Sequence, residues 1–255
     1  SMYPEYARDT HTRWVAGRRE EDFTLDPDVA VATLREHSPS VVILTSPNNP
    51  TGTAMPFSTI EAVCEAALEL DVDGSPAVVV VDEAYAEFRR AGVPSALELL
   101  ERYPNLAVSR TMSKAFALAG ARVGYLAGST DLVDALRIVR LPYHLSAVTQ
   151  ATARAALAHA PALLAQVDSL RTERDATVAW LRAQTLDGQP LQAAESDSNF
   201  VLFGTFDDRH AVWQGLLDRG VLIRETGPEG WLRVSIGTPQ DMIAFKDALV
   251  EVAGL

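Results

Sequence analysis

A lysine lies between two apolar runs in the stretch from residue 106 to residue 128, which contains the sequence Arg-Thr-Met-Ser-Lys-Ala-Phe. Lys114 is flanked by the hydroxyls of Thr111 and Ser113, and Arg122 follows eight residues later. A lysine held in a largely apolar site has its ammonium destabilised, and the neutral amine is the nucleophile that Schiff-base chemistry requires. Hydroxyls and an arginine suit a phosphate. The stretch predicts a Schiff-base lysine beside a phosphate site, with an exposed loop lysine as the alternative.

Two other groups of polar side chains follow short apolar runs. Asn49 belongs to the segment Ser-Pro-Asn-Asn-Pro-Thr-Gly after residues 41–44, and Asp82 and Tyr85 come directly after residues 78–81. Such runs are typical of parallel strands buried on both faces, and ligands of open α/β sheets gather at the carboxyl ends of the strands. A carboxylate there can keep an aromatic ring nitrogen protonated. The alternative role of Asp82 is to cap the next helix. Asn49 could instead be a turn residue, and Tyr85 a packed side chain.

Together, these three groups resemble the fold-type I enzymes that depend on pyridoxal phosphate, specifically the class I/II aminotransferases. The runs 111–125 and 140–146 are most similar to the histidinol-phosphate aminotransferase branch of that family. The resemblance covers essentially the whole chain. It implies an α/β fold in three layers, with a mostly parallel sheet in a large cofactor-binding domain, followed by a small α+β C-terminal domain.

The resemblance also implies a cofactor, pyridoxal 5'-phosphate, and the residues that bind it. The implied set is Asn49, Asp82, Tyr85, Thr111, Ser113, Lys114 and Arg122. Lys114 would carry the Schiff base and then move a proton between the substrate and cofactor carbons, as covalent and acid–base catalyst in turn. Asp82 would pair with the ring nitrogen. Asn49 and Tyr85 would bind the phenolic oxygen, and the two hydroxyls and the arginine would hold the phosphate.

Four further residues are implied on the substrate side. Arg233 matches the arginine of the small domain that binds the acid group of the substrate, and Arg224 resembles a second arginine of the histidinol-phosphate branch. That substrate carries a phosphate monoester and no α-carboxylate, so two arginines suit it. Tyr143 would reach a substrate pocket, either its own or that of the partner subunit, and Asn199 would lie near the substrate. All four have ordinary structural alternatives, since exposed strand-end charges contribute little to stability.

The reaction implied by the resemblance is amino transfer from histidinol phosphate to 2-oxoglutarate, which gives imidazole acetol phosphate and glutamate in histidine biosynthesis. An aromatic amino acid aminotransferase and a decarboxylase of an amino-acid phosphate are alternatives on the same scaffold. Ser1 falls at a point that resembles the middle of the family's chain. The family's N-terminal portion would then be missing, and an inactive truncated fragment is a third alternative. Family sites are built at the subunit interface, so we expect a homodimer.

Composition restricts the class of protein. The 255 residues carry a formal net charge of −12, which argues against a nucleic-acid partner. No apolar run is long enough to cross a membrane, and we expect a cytoplasmic protein with small-molecule substrates, an amino donor and a 2-oxo acid. The single cysteine, Cys64, cannot form an internal disulfide, and the five histidines show no metal-ligand spacing, so no metal is predicted.

The order of elements predicts how these residues are positioned. Strands are predicted at 12–15, 41–44, 78–81, 106–109 and 123–127, and helices at 1–10, 25–36, 58–70 and 94–102, the third opened by a capping box of Ser58 and Glu61. Alternation of strands and helices indicates a mostly parallel sheet. Helices are predicted at 131–139, 146–158 and 161–183, followed by strands at 200–203, 221–224 and 231–236 and helices at 208–219 and 239–252.

These elements divide into a large domain, residues 1–160, and a connecting helix with a small domain, residues 161–255. The alternative is one continuous helical subdomain after residue 128.

Overall fold

The computed structural model describes residues 2–255. The helices are α1 (Tyr3–Asp9), α2 (Pro27–His37), α3 (Phe57–Glu69), α4 (Thr130–Val139), α5 (Ala147–Ala158), α6 (Ala160–Arg182), α7 (Arg209–Asp218) and α8 (Pro239–Ala253). The strands are β1 (Val41–Thr45), β2 (Val78–Asp82), β3 (Leu106–Thr111), β4 (Gly124–Gly128), β5 (Thr185–Leu186), β6 (Gln189–Pro190), β7 (Gln192–Ala193), β8 (Phe200–Gly204) and β9 (Leu232–Ser235). Short 3-10 helices lie at Ala86–Phe88, Ala96–Leu99 and Ala119–Ala121.

The first sheet has the strand order β1-β2-β3-β4. Strands β1, β2 and β3 are parallel, and β4 pairs with β3 antiparallel. Thr45 pairs with Asp82, and Asp82 pairs with Ser109, so the carboxyl ends of the three parallel strands lie side by side. The predicted mostly parallel sheet is confirmed, and its register brings the polar segments that follow these strands to one edge.

The prediction that these strands are buried on both faces is wrong. Val79 and Val81 of β2 are fully buried beneath α3, whereas Val78 and Val80, which alternate with them, are partly exposed. In β1 only Leu44 is buried, and Val41 is exposed. A cavity of about 1070 Å³ runs along β1, so part of the sheet has no protein layer against it within the described residues.

Several local predictions also differ from the structure. Residues 12–15 form no strand among the described residues, since no strand lies beside them to supply backbone partners. Ser58 does not cap α3, because the helix already begins at Phe57 with Pro56 at the N-cap. The helix predicted at 94–102 is reduced to the 3-10 turn Ala96–Leu99, which Ser95 caps.

The second sheet, β7-β8-β9, is antiparallel, and β8 is buried along its whole length. Its core includes Phe203, Leu216 and Phe245, where α7 and α8 pack against the sheet. Residues 221–224 do not form the predicted strand; only Arg224 makes a bridge, to β9. The predicted α+β unit after the parallel sheet is confirmed, with this one strand missing.

Helix α6 joins the two sheets. Arg174, which is fully buried, donates to the carbonyl of Phe88 beside the first sheet and to that of Ser198, 3.2 Å away, before β8. Helices α4 and α5 contribute no buried residue. None of the helices that the structure describes is both long enough and apolar enough to cross a bilayer.

Candidate active site

The polar edge of the first sheet opens into the large cavity. All the residues predicted to bind the cofactor line it: Asn49, Asp82, Tyr85, Thr111, Ser113, Lys114 and Arg122. They come from the segments after β1, β2 and β3 because those strands are parallel and in register. These seven residues bring one carboxylate, one amine, one guanidinium, three hydroxyls and one amide into a single concave site, which is the usual form of a small-molecule site.

Lys114 follows β3 in a short turn. Its ammonium lies 5.3 Å from the centre of the Tyr85 ring, a cation–π distance. Within residues 2–255 it makes no salt bridge and no hydrogen bond that would occupy the amine. The side chain is exposed, so the largely apolar environment predicted for it is not present in this chain. The lysine is available to an electrophile that enters the cavity.

Beside Lys114 are two hydroxyls and an arginine. The Thr111 hydroxyl donates to Ser113 Oγ at 2.8 Å and accepts from the Ser113 backbone N–H at 3.1 Å. Arg122 has a left-handed backbone, with φ of 51°, and donates to the carbonyl of Ala119 at 3.2 Å. Among the described residues no carboxylate pairs with this guanidinium. Two hydroxyls and a cation without a counter-ion are suited to bind a phosphate group.

Asp82 ends β2, and both of its carboxylate oxygens are engaged. Oδ1 accepts from the backbone N–H of Ala84 at 3.0 Å, and Oδ2 accepts from the hydroxyl of Tyr3 in α1. Burial raises the pKa of Tyr3, and the hydrogen bond to Asp82 raises it further. The tyrosine therefore stays protonated and acts as the hydrogen-bond donor to the carboxylate.

A chain of contacts connects this edge with the second sheet. Asn49 Nδ2 donates to the Tyr85 hydroxyl at 3.5 Å, and Asn49 Oδ1 accepts from Arg233 Nη1 at 2.5 Å. Phe200 packs edge-on against Tyr85 at 5.1 Å, and the Arg233 guanidinium lies 4.7 Å above the Phe200 ring. Burial lowers the pKa of Arg233. The arginine predicted to bind substrate is thus held against Asn49, which lines the cavity, although Arg233 does not line it itself.

The other three predicted substrate residues are placed differently. Arg224 is exposed, and its backbone pairs with that of Arg233 in both directions, at 3.0 and 2.9 Å. The Asn199 carbonyl accepts from Ile236 N–H at 2.9 Å, which places the asparagine at the start of β8. Tyr143 is 98% exposed and does not line the cavity. This chain brings Arg233 to the site, sets Arg224 beside it, and leaves Tyr143 outside.

A buried ion pair between Glu83 and Arg110 lies next to Asp82. Glu83, 2% exposed, accepts from Arg110 Nη2 at 2.7 Å and Nε at 3.0 Å. It also accepts from the Ser95 hydroxyl at 2.8 Å and from the Ala96 N–H at 2.7 Å. These contacts fix the residue next to Asp82. Sequence reasoning missed Glu83, Arg110, Tyr3 and Phe200; the only local signal was that all but Tyr3 adjoin predicted site residues.

Comparisons with known proteins agree with this geometry. The family model "Aminotransferase class I and II" matches residues 1–249. The histidinol-phosphate aminotransferase of Thermobifida fusca is 60% identical over 254 residues, which are 100% of this chain and 66% of the relative. The histidinol-phosphate aminotransferase of Bifidobacterium longum is 58% identical, and the match covers 67% of its length.

A solved structure of histidinol-phosphate aminotransferase from Sinorhizobium meliloti, in complex with pyridoxal-5'-phosphate, superposes with a TM-score of 0.83 at 26% identity. The superposition covers 99% of this chain and 67% of the Sinorhizobium meliloti chain. The chain spans about two thirds of the length of the curated relatives it matches. The chain belongs to the class I and II aminotransferase family.

Proposed function

We propose that this chain is an aminotransferase dependent on pyridoxal phosphate that transfers the amino group of histidinol phosphate to 2-oxoglutarate. The observation that carries the proposal is the convergence of all the predicted cofactor residues on one cavity around the unpaired amine of Lys114. The names of the relatives from Thermobifida and Bifidobacterium support the substrate. The products would be imidazole acetol phosphate and glutamate, in histidine biosynthesis.

The donor set fits this cofactor. Pyridoxal phosphate supplies an electron sink that makes a hydrogen on the substrate's amine-bearing carbon acidic. Arg122 and the hydroxyls of Thr111 and Ser113 would bind its phosphate, and within residues 2–255 no carboxylate pairs with this arginine. Asp82 would hold a proton on the ring nitrogen.

The remaining residues would bind the reacting groups. Asn49 and Tyr85, already in contact with each other, would donate hydrogen bonds to the phenolic oxygen. Lys114 would hold the cofactor at its carbonyl carbon and would serve as the base that takes a proton from the substrate carbon. Its position over the Tyr85 ring keeps the amine on the cavity side of the turn.

The substrate end is assigned to the two arginines. Arg224 and Arg233 occupy directly opposed positions of an antiparallel bridge, where Cβ atoms lie about 5 Å apart. Two arginines on neighbouring positions suit a phosphate monoester, which can accept from both guanidiniums. Asn199 would lie near the substrate as well, since it directly precedes β8, the strand that pairs with β9.

The test of this proposal is an absorbance spectrum after addition of pyridoxal phosphate, with Lys114→Ala as the matched variant. We expect a long-wavelength band that borohydride fixes covalently onto the wild type and not onto the variant. Absence of such a band from the wild type would refute the proposed activity for this chain and favour the inactive fragment.

Substrates then separate the alternatives. Histidinol phosphate should convert the cofactor to its amine form, and 2-oxoglutarate should restore it. Preference for phenylalanine or tyrosine would favour the aromatic aminotransferase, and release of CO₂ from an amino-acid phosphate would favour the decarboxylase.

We also propose a cytoplasmic homodimer whose subunits each consist of residues 1–160 and 161–255 as separate domains. The support for a dimer is an apolar surface on α4, α5 and the turn between them. Ile138, Val139, Leu141 and Val148 are each at least three-quarters exposed there. Tyr143 lies in the same turn and would reach the partner's pocket. A monomer at micromolar concentration in analytical ultracentrifugation would refute the dimer.

A further inference from the structure

The contact between Tyr3 and Asp82 has no part in the chemistry assigned so far. Tyr3 begins α1 and lines the cavity, and its hydroxyl donates to Asp82 Oδ2 at the end of β2, 79 residues further along the chain. Among the described residues it is the side chain that donates to Asp82; the other donor is the backbone N–H of Ala84. The site carboxylate is therefore hydrogen-bonded before any ligand binds.

The surroundings of Tyr3 keep this donor in place. Its ring packs edge-on against that of Tyr6, one helical turn later, with centres 6.0 Å apart. Other titratable groups that line the same cavity include Arg19, Tyr85, Lys114 and Arg122. These groups are present whether or not the tyrosine hydroxyl is. Their effect therefore cancels when two variants that differ only in this hydroxyl are compared.

We propose that Tyr3 is a positioning residue. Asp82 and the ring nitrogen of the cofactor would share one proton, and the hydrogen bond from Tyr3 to Asp82 would keep that proton on the nitrogen. The inference rests on the proposed function. A hydrogen bond from a neutral hydroxyl to a carboxylate stabilises the ionised carboxylate, so Asp82 competes less well for the proton. Loss of one such bond shifts the proton toward Asp82 by about tenfold in the equilibrium constant, within the usual range for a hydrogen bond to a charged group.

Burial and the hydrogen bond to Asp82 both raise the pKa of Tyr3, which lies above the pH range of ordinary assays. The donor is therefore present at every pH at which the enzyme would be measured. The proton on the ring nitrogen matters because the protonated ring is the stronger electron sink. The predicted consequence of losing the hydroxyl is a lower kcat with an unchanged KM, since no contact to substrate is removed.

The test uses pyridoxal phosphate labelled with nitrogen-15 in the ring, bound to the whole chain and observed by NMR. The variants are Tyr3→Phe, the matched control Tyr6→Phe, and Asp82→Asn, which gives the resonance of a ring without its carboxylate. We expect Tyr6→Phe to match the wild type and Tyr3→Phe to move toward the value of the unprotonated nitrogen. In the Asp82→Asn background, Tyr3→Phe should cause no further change.

Each outcome decides a separate point. A Tyr3→Phe protein that binds the cofactor with the wild-type resonance and the wild-type kcat would overturn the inference and leave the proposed function intact. A wild type that binds no cofactor would overturn the proposed function and the inference with it. A fall in kcat together with the NMR shift would support the role of Tyr3. Circular dichroism of each variant would detect loss of folding, and in that case the double variant would be compared with Asp82→Asn alone.

Discussion

The buried pair of Glu83 and Arg110 yields the strongest stability prediction. Glu83 is 2% exposed and accepts four hydrogen bonds, two of them from Arg110. Glu83→Ala would leave the guanidinium of Arg110, itself 13% exposed, without its main partner. Removal of one member of a buried ion pair costs about 3–5 kcal/mol, which is a large share of the 5–15 kcal/mol typical of a whole domain. We expect Glu83→Ala to lower the free energy of unfolding by about that amount.

The matched control is the exposed pair of Arg35 and Glu69, whose side chains are 62% and 66% exposed at an N–O distance of 3.0 Å. Such surface pairs contribute about 0–1 kcal/mol, so Glu69→Ala should change stability little. Urea unfolding followed by circular dichroism gives both values, provided the slope m is unchanged. Equal effects of Glu83→Ala and Glu69→Ala would refute the reasoning. Glu83→Gln, which keeps the shape and loses the charge, should fall between them.

Three further predictions concern the phosphate site, pH and a turn. Arg122→Gln should weaken binding of pyridoxal phosphate by about 10–100-fold, as expected for a charge-assisted hydrogen bond, whereas Arg219→Gln on the surface should not; equilibrium dialysis would measure both. The hydrogen bond to Glu225 raises the pKa of the exposed His210. The stability that this hydrogen bond adds is therefore complete below the unfolded pKa of about 6.5 and is lost as pH rises through the folded pKa. We expect His210→Gln to lower Tm slightly at pH about 6 and not at pH about 9. Gly52→Ala should destabilise by more than about 1 kcal/mol, because φ is 79° and the new Cβ would lie 2.6 Å from a serine hydroxyl; a wild-type Tm would contradict this.

Local sequence was sufficient to predict the parallel strands and the residues at their ends. The apolar runs of β1, β2 and β3 are short and bounded by turn residues, so both their type and the position of Asp82 and Lys114 after them follow from neighbours in the chain. Thr238 likewise caps α8 through a hydroxyl three residues from its partner Asp241. Side chains this close in sequence interact in a similar way whatever the rest of the fold does.

Predictions failed where the outcome depends on a distant partner. Residues 12–15 have the pattern of a strand and no neighbouring strand to pair with. The sequence around Lys114 is apolar, yet the side chain is exposed, because burial depends on what covers the turn and not on the residues that flank it.

The sequence by itself determined the family, the α/β class and the set of polar residues around the cavity, since these depend on residue types and on spacing along the chain. Only the tertiary structure decided which side chains touch. Arg233 reaches Asn49 across 184 residues, and Tyr3 reaches Asp82 across 79. Such contacts depend on how the two sheets and α1 are placed against one another. That placement results from the packing of many buried side chains together, and no single segment encodes it.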